Sequence, residues 1–190
     1  NEINRLLVPG MLARRAVKGS LSLIPAAKAL QAELMSPSGT LEPAEPAVLG
    51  AELRVVAGMK KVALAVLGTA MQTYAEKMGD QQEVLGFAAD ILIDAYAAES
   101  ALLRARQAAK DDAARAALHE AAARIVIHTA ASRIDAASKE ALAAMATGDT
   151  LRILLAATKR WLKATPPNLV ADRRVLAGET VGRKRYVFEI

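Results

Sequence analysis

Apolar residues recur at three- and four-residue steps along most of this sequence, and that spacing places them on one face of an α-helix. The clearest example runs from residue 82 to about 107, with one apolar stripe formed by Val84, Phe87, Ala88, Ile91, Ala95, Ala98 and Leu102. Similar spacing predicts long helices over about 52–78 and 112–146, and a fourth helix over about 149–163. Very short turns join these four helices, so they must pack as antiparallel neighbours in an up-down four-helix bundle.

The same spacing predicts which side chains form the core. On the third long helix the residues predicted to lie on the inner side or near it are Leu118, Ala122, Ile125, Thr129, Ser132, Ala136 and Met145. For the whole bundle we expect the inward-facing set to include Val62, Val66, Leu85, Ile91, Leu102, Ile125, Leu142 and Leu154.

Residues that start or stop helices mark the ends of these elements. Gly79 stops the first long helix, and Asp80 with Glu83 predicts the cap of the next, because an N-cap carboxylate accepts backbone N–H groups of the first turn. Gly148 ends the third helix. Asn168 is placed to cap a last helix before the C-terminal tail.

Two short helices precede the bundle, at Leu6–Val17, with Pro9 near its start and Gly19 at its stop, and at Pro25–Leu34. Residues 35–50 contain three prolines and two glycines, a composition typical of a linker, and we expect them to be the least ordered stretch. The predicted organisation is therefore a leading piece at 1–34, a linker at 35–50, and a helical bundle with a basic tail at 51–190.

Composition supports an all-α protein. Hydrophobic residues make up 53% of the chain and aromatic residues only 3%, so the apolar content is mostly alanine and aliphatic side chains. Alanine and leucine are among the strongest helix formers. The absence of cysteine excludes disulfides and thiolate sites. Neither a signal peptide nor an apolar run of the roughly 18 residues that a membrane span needs is apparent.

The net charge of +5 is concentrated near the C-terminal end. Of 25 basic and 20 acidic residues, eight basic and three acidic ones fall in residues 158–190, which leaves 17 of each before that point. A basic tail can bind an anionic membrane or an acidic partner, or it can be an ordinary solvated surface. Nucleic acid is the weaker hypothesis, because no aromatic residues alternate with the cations to stack on bases.

The spacing of histidines and carboxylates excludes most metal-binding and catalytic motifs. His119-Glu120 lacks the second histidine one helical turn later that a zinc protease helix requires. No acidic residue lies three positions before His119 or His128, which excludes the di-iron pattern, so both histidines are predicted to be surface or helix-flank residues.

Three carboxylates on one helix, Asp90, Asp94 and Glu99, can in principle work as acid and base. We favour the structural interpretation, because the cations Lys110, Arg104 and Arg106 lie nearby and solvated i,i+4 charge pairs are the common outcome on a helix. Trp161 is interpreted as a partly buried residue of helix packing rather than an interface anchor.

Two segments carry a resemblance to a known family. The opening Asn1-Glu2-Ile3-Asn4-Arg5-Leu6 resembles the acyl-CoA dehydrogenase segment Glu-Gly-Thr-Asn/Ser-(Glu/Gln/Asp)-Ile-x-Arg. Residues 82–105, QEVLGFAADILIDAYAAESALLRA, resemble the helix in the extra C-terminal domain of the very-long-chain subgroup. The order of motif, linker and helical bundle is the same as in that subgroup.

The resemblance implies an FAD enzyme of fatty acid β-oxidation that removes hydrogen from the Cα–Cβ bond of a long-chain acyl-CoA. It places the catalytic glutamate in the Glu-Gly-Thr that would precede Asn1, so no catalytic residue is expected in this chain. Glu2 takes the position that contacts the adenosine part of FAD in relatives. Residues 1–34 would then be the end of the dehydrogenase helical core, and residues 51–190 an accessory bundle that is inactive on its own.

Relatives also imply the partners: the rest of the dehydrogenase chain, a second copy in a homo-oligomer, and an anionic membrane surface. We expect a cytoplasmic or mitochondrial matrix protein, with peripheral membrane attachment through residues 9–35 and the basic tail as an option. The alternative hypothesis is a free-standing helical binding or scaffold protein with a basic tail.

Overall fold

A computed structural model describes residues 2–35, 48–111 and 113–188, with only the backbone of residues 35, 113 and 114. Within these ranges every regular element is a helix and no strand occurs, which confirms the predicted all-α class. The α-helices are α1 (Glu2–Val17), α2 (Leu23–Met35), α3 (Gly50–Tyr74), α4 (Gln82–Asp111), α5 (Ala113–Met145), α6 (Gly148–Trp161) and α7 (Leu169–Arg183), with a short 3-10 helix at Ala75–Asp80.

Helices α3 to α6 form the bundle, and contacts between them give its directions. The side chain of Lys60 on α3 pairs with Glu99 on α4, while Asp94, earlier on α4, pairs with Arg133 on α5. Helix α3 runs in the same direction as α5, because residues near the start and end of α3 meet successive positions of α5. The connections are short, so sequential helices alternate in direction as expected.

The core is largely the predicted one. Six of the eight expected residues are buried, whereas Leu154 and Ile125 are only half-buried. On α5 the predicted inner side was partly wrong: Ser132 and Ala136 are exposed. The buried hydrophobic residues there are Leu118, Ala121, Ala123, Ile127, Ala130, Ile134, Ala141, Leu142 and Met145. An alanine-rich helix has faces of similar hydrophobicity, and α5 contacts α3, α4, α6 and α7, so its neighbours decide its rotation.

The helix ends differ from the predicted ones at the connection between α3 and α4. Helix α3 ends at Tyr74 and continues as the 3-10 helix, and α4 begins at Gln82. The carbonyl of Gln81 accepts the first bond of α4, from Leu85 N–H at 2.9 Å, so Gln81 caps the helix and the predicted Asp80 cap is wrong. At α7 the prediction is confirmed, because Asn168 Oδ1 accepts from Ala171 N–H at 3.1 Å.

The leading helices lie against the bundle, α1 on α4 and α2 on α3. Helix α1 begins at Glu2 rather than Leu6, and Pro9 lies inside it. Gly19, with φ of 73°, follows its end as expected. Residues 36–47 of the predicted linker lie outside the described residues. Contacts alone do not divide a chain into domains, so the division at 34 and 50 stays a prediction.

Two close approaches between helices depend on glycine. A Cβ placed on Gly58 of α3 would lie 2.0 Å from the carbonyl oxygen of Trp161 at the end of α6. A Cβ placed on Gly68 of α3 would lie 3.3 Å from the Cβ of Ala27 on α2. Trp161 itself is 7% exposed, which confirms it as a packing residue.

Candidate functional site

Glu2, the residue expected to contact a flavin nucleotide, lies in the first turn of α1 with 78% of its side chain exposed. Its carboxylate accepts a hydrogen bond from Arg5 Nη1 at 2.9 Å. Arg5 Nε donates in turn to Asp90 Oδ1 on α4 at 2.8 Å. The Asp90 carboxylate, and after it Glu2, raise the pKa of Arg5. The three side chains therefore form one network of ion pairs that links the start of α1 to α4.

This geometry limits what Glu2 can do chemically. An exposed carboxylate held by an arginine accepts hydrogen bonds from hydroxyl groups, as the ribose of a nucleotide would offer. One such contact cannot hold a dinucleotide. The role of Glu2 stays a prediction that requires further residues around it.

The carboxylates of α4 form structural ion pairs, but with different partners from those expected. Asp90 pairs with Arg5 of α1, Asp94 with Arg133 of α5, and Glu99 with Lys60 of α3. Arg133 Nη2 lies 2.6 Å from Asp94 Oδ1. Each pair joins two helices, because these positions on α4 face its neighbours rather than solvent alone. The i,i+4 pairing on α4 itself was wrong.

A polar cluster between α3, α5 and α7 was not expected from the sequence. Arg124 on α5 donates to both oxygens of Asp172 on α7, from Nη2 at 2.7 Å and from Nε at 3.0 Å. The hydrogen bonds to Asp172 are the main cause that raises the pKa of Arg124, and burial opposes it. Next to this pair, His128 Nε2 lies 3.4 Å from Glu52 Oε1.

The two histidines occupy different environments. The side chain of His128 is only 11% exposed, so of the two predicted positions, surface or helix flank, the surface position is wrong. The ring of His119 lies 4.7 Å from the ring of Phe188, which follows α7, and is half-buried. No sequence spacing indicates these contacts, since residues 172 and 188 come from another part of the chain. Among the described residues no three histidine, aspartate or glutamate side chains converge as metal ligands.

None of the described helices is both long enough and apolar enough to cross a bilayer.

Comparisons with known proteins agree in sequence and in structure. A family model described as "Acyl-CoA dehydrogenase, C-terminal domain" matches residues 58–160, which cover most of α3 to α6. The chain is 39% identical over 189 residues to a probable acyl-CoA dehydrogenase of Bacillus subtilis, across 98% of the chain and 31% of that protein.

Among solved structures, the chain is similar to an acyl-CoA dehydrogenase from Bacillus anthracis that was crystallised in complex with FAD. The TM-score is 0.94 with 35% sequence identity, over 99% of the chain and 32% of that chain. The sequence thus spans about a third of the length of the relatives it matches.

Proposed function

Because this chain belongs to the acyl-CoA dehydrogenase family, we propose that it is the C-terminal helical region of an FAD-dependent enzyme that dehydrogenates long-chain acyl-CoA in fatty acid β-oxidation. The observation that carries the proposal is the TM-score of 0.94 with the FAD-bound relative over 99% of the chain. Family membership favours this function over a free-standing scaffold protein.

The very-long-chain subtype is the finer part of the proposal. Its support is the resemblance of residues 82–105, which form most of α4 and contact α1, α3 and α5. The family match over residues 58–160 falls on the bundle rather than on α1 and α2. We infer from this that residues 51–190 act as an accessory domain.

In the proposed enzyme, bound FAD would accept the hydride that leaves Cβ of the thioester. The contribution of this chain is structural. Glu2 would accept hydrogen bonds from the adenosine hydroxyls of the flavin nucleotide, and Arg5 would hold the Glu2 carboxylate in place. Asp90 fixes Arg5, so the bundle determines where the start of α1 lies. The proton at Cα would go to the glutamate that the resemblance places before Asn1.

A comparison of the full-length enzyme with the 190-residue chain tests this function. We expect the full-length enzyme to purify yellow and to reduce an artificial electron acceptor with long-chain acyl-CoA. The isolated chain should stay colourless after desalting and show no rate above a blank without protein. Loss of a general base alone lowers rates by about 10²–10⁴-fold, and loss of the hydride acceptor leaves no route at all.

Two results would contradict the proposal. A full-length protein that neither retains FAD nor oxidises any acyl-CoA would refute the dehydrogenase function itself. A yellow or active 190-residue chain would show that the active site had been misplaced.

We propose that the helical region as a whole serves assembly of a homo-oligomer or docking to a membrane surface. Exposed apolar side chains on α1 accompany exposed cations: Met11 and Val17 are 52% and 73% exposed, beside Arg14, Arg15 and Lys18. A second exposed basic group lies on and after α7, at Arg173, Arg174, Lys184 and Arg185. Apolar side chains next to cations suit an anionic lipid surface.

Vesicle binding is expected to be weak and sensitive to salt. Each cation near an anionic surface contributes about 1 kcal/mol, and salt screens that contribution. Co-sedimentation with phosphatidylserine vesicles should therefore fall from low to high salt, and uncharged vesicles provide the control. No binding at low salt would leave assembly as the only proposed role.

A further inference from the structure

The first turn of α1 is joined to the bundle by an ion pair, while no residue within that turn is buried. In the described part of the chain, residues 2–5 are exposed or half-buried, and the buried residues of α1, Pro9 and Ala16, come later along the helix. Arg5 reaches across to Asp90 of α4. Helix ends fray unless something holds them, so this ion pair has a large influence on the order of the first turn.

The guanidinium of Arg5 holds both Asp90 and Glu2 at the same time. Nε donates to Asp90 Oδ1 at 2.8 Å and Nη2 donates to Asp90 Oδ2, so the two carboxylate oxygens bind one edge of the planar group. Nη1 donates to Glu2 Oε1 at 2.9 Å and to Oε2 at 3.1 Å. Because the guanidinium is rigid and planar, the edge bound to α4 sets the plane in which Glu2 is held.

Gly86 of α4 leaves space for this arrangement. It lies one helical turn before Asp90, and a Cβ added to it would be 3.7 Å from Arg5 Nη2. The guanidinium therefore lies beside the backbone of α4 at a position without a side chain. A long side chain at residue 86 would take the space that the guanidinium occupies.

We propose that Asp90 is a positioning residue for flavin binding, acting through Arg5 on Glu2, so that a change within the helical bundle lowers the affinity of the enzyme for FAD. This inference rests on the proposed function, which gives Glu2 the contact with the adenosine hydroxyls. Without Asp90, the pair of Arg5 with Glu2 is an exposed i,i+3 pair that contributes little to order. A carboxylate that must be ordered when its ligand arrives binds that ligand more weakly than one already held in place.

Titration of the FAD-free full-length enzyme with FAD tests the inference, with Asp90→Asn as the variant. Asparagine has nearly the shape of aspartate, but it lacks the charge and one of the two acceptor oxygens, so Arg5 loses its bidentate partner. We expect the dissociation constant for FAD to rise about fivefold, the upper range for a partly exposed ion pair.

Asp94→Asn is the matched control. Asp94 lies one turn later on α4 and pairs with Arg133 of α5 instead of with α1. Its side chain is 14% exposed against 43% for Asp90, so a general loss of stability would affect the control at least as strongly. The affinity for FAD should stay at the wild-type value in Asp94→Asn.

Two further measurements separate positioning from stability. In the FAD-free enzyme, hydrogen exchange should quicken at residues 6–8 in Asp90→Asn but not in Asp94→Asn, because in a helix these N–H groups bond to the carbonyls of residues 2–4. In a double-mutant cycle with Glu2→Gln, the losses of FAD affinity should not add, since both changes act on one contact.

Variants at Gly86 test the same path from the other side. Gly86→Leu should weaken FAD binding as Asp90→Asn does, whereas Gly86→Ala should not, because 3.7 Å is an ordinary contact distance. Unchanged FAD affinity in Asp90→Asn, or an equal loss in Asp94→Asn, would overturn the inference and leave the proposed function standing. A full-length wild type without affinity for FAD would instead refute the proposed function and this inference with it.

Discussion

Replacement of Gly58 by alanine is expected to lower the free energy of unfolding by about 3 kcal/mol, the upper range for overpacking a core. In an ordinary helix the same replacement stabilises, because alanine loses less conformational freedom than glycine. Here the added Cβ would lie 2.0 Å from the carbonyl oxygen of Trp161 and 2.8 Å from its carbonyl carbon. These are backbone atoms, so α3 and α6 must move apart.

Thermal unfolding measures this effect, with an expected fall in Tm on the order of 10 °C for a chain of this size. The single tryptophan of the chain, Trp161, gives a second measurement, since its emission should shift to the red as it becomes exposed. Gly178→Ala is the matched control: Gly178 is also helical, has nothing within 4 Å of an added Cβ, and should be neutral or stabilising. Equal stability of the two variants would show that the backbones of α3 at Gly58 and α6 at Trp161 are not in close contact.

Arg124→Met is expected to destabilise the protein by about 2 kcal/mol, somewhat less than removal of one partner from a fully buried ion pair. The expected loss of stability is smaller than for a fully buried pair because the Arg124 side chain is 27% exposed. Asp172, 8% exposed, would lose all three hydrogen bonds that Arg124 donates to its carboxylate. Helix α7 packs on α5 beside this pair, so trypsin should cleave at Arg173 and Arg174 more rapidly in the variant.

Chemical denaturation with limited proteolysis checks this prediction, and Arg152→Met is the control. Arg152 pairs with Asp149, but both side chains are more than 80% exposed, so we expect a change under about 0.5 kcal/mol. If α7 of the Arg124→Met variant resisted trypsin as well as α7 of the wild type, the expected loosening of α7 from α5 would be contradicted.

The pH dependence of this contribution follows from the raised pKa of Arg124. A cation with a pKa raised in the folded state contributes stability that is complete below its unfolded pKa and is lost only above it. Stability differences between the wild type and Arg124→Met should therefore stay constant from neutral to moderately alkaline solution.

The all-helical architecture could be predicted because its signals are local. Apolar spacing along α4 marks a helix wherever it packs, and Gly19 and Asn168 terminate helices through their own backbone or side chain. The core residues of α3 and α4 were predicted well for the same reason, since Val62, Val66 and Ile91 recur at helical spacing on one face of their helices and are buried.

The candidate site could be predicted only in part. The motif around Glu2 indicated its place at the start of the chain, and its hydrogen bond to Arg5 joins residues three positions apart, but the link from Arg5 to Asp90 joins residues 85 positions apart. The function of Glu2 as a nucleotide contact stays a prediction, because 78% of its side chain is exposed in the described part of the chain.

Sequence by itself therefore determined the helices, their order and most of the apolar faces, because these depend on spacing over one or two turns. Only the tertiary structure decided the rotation of α5, the partners of Asp90, Asp94 and Glu99, and the burial of His128 against Glu52. Those features depend on which helix lies opposite, and an alanine-rich face does not specify its neighbour. Electrostatic pairing then follows from geometry, since a charge pairs with the nearest opposite charge that packing brings within reach.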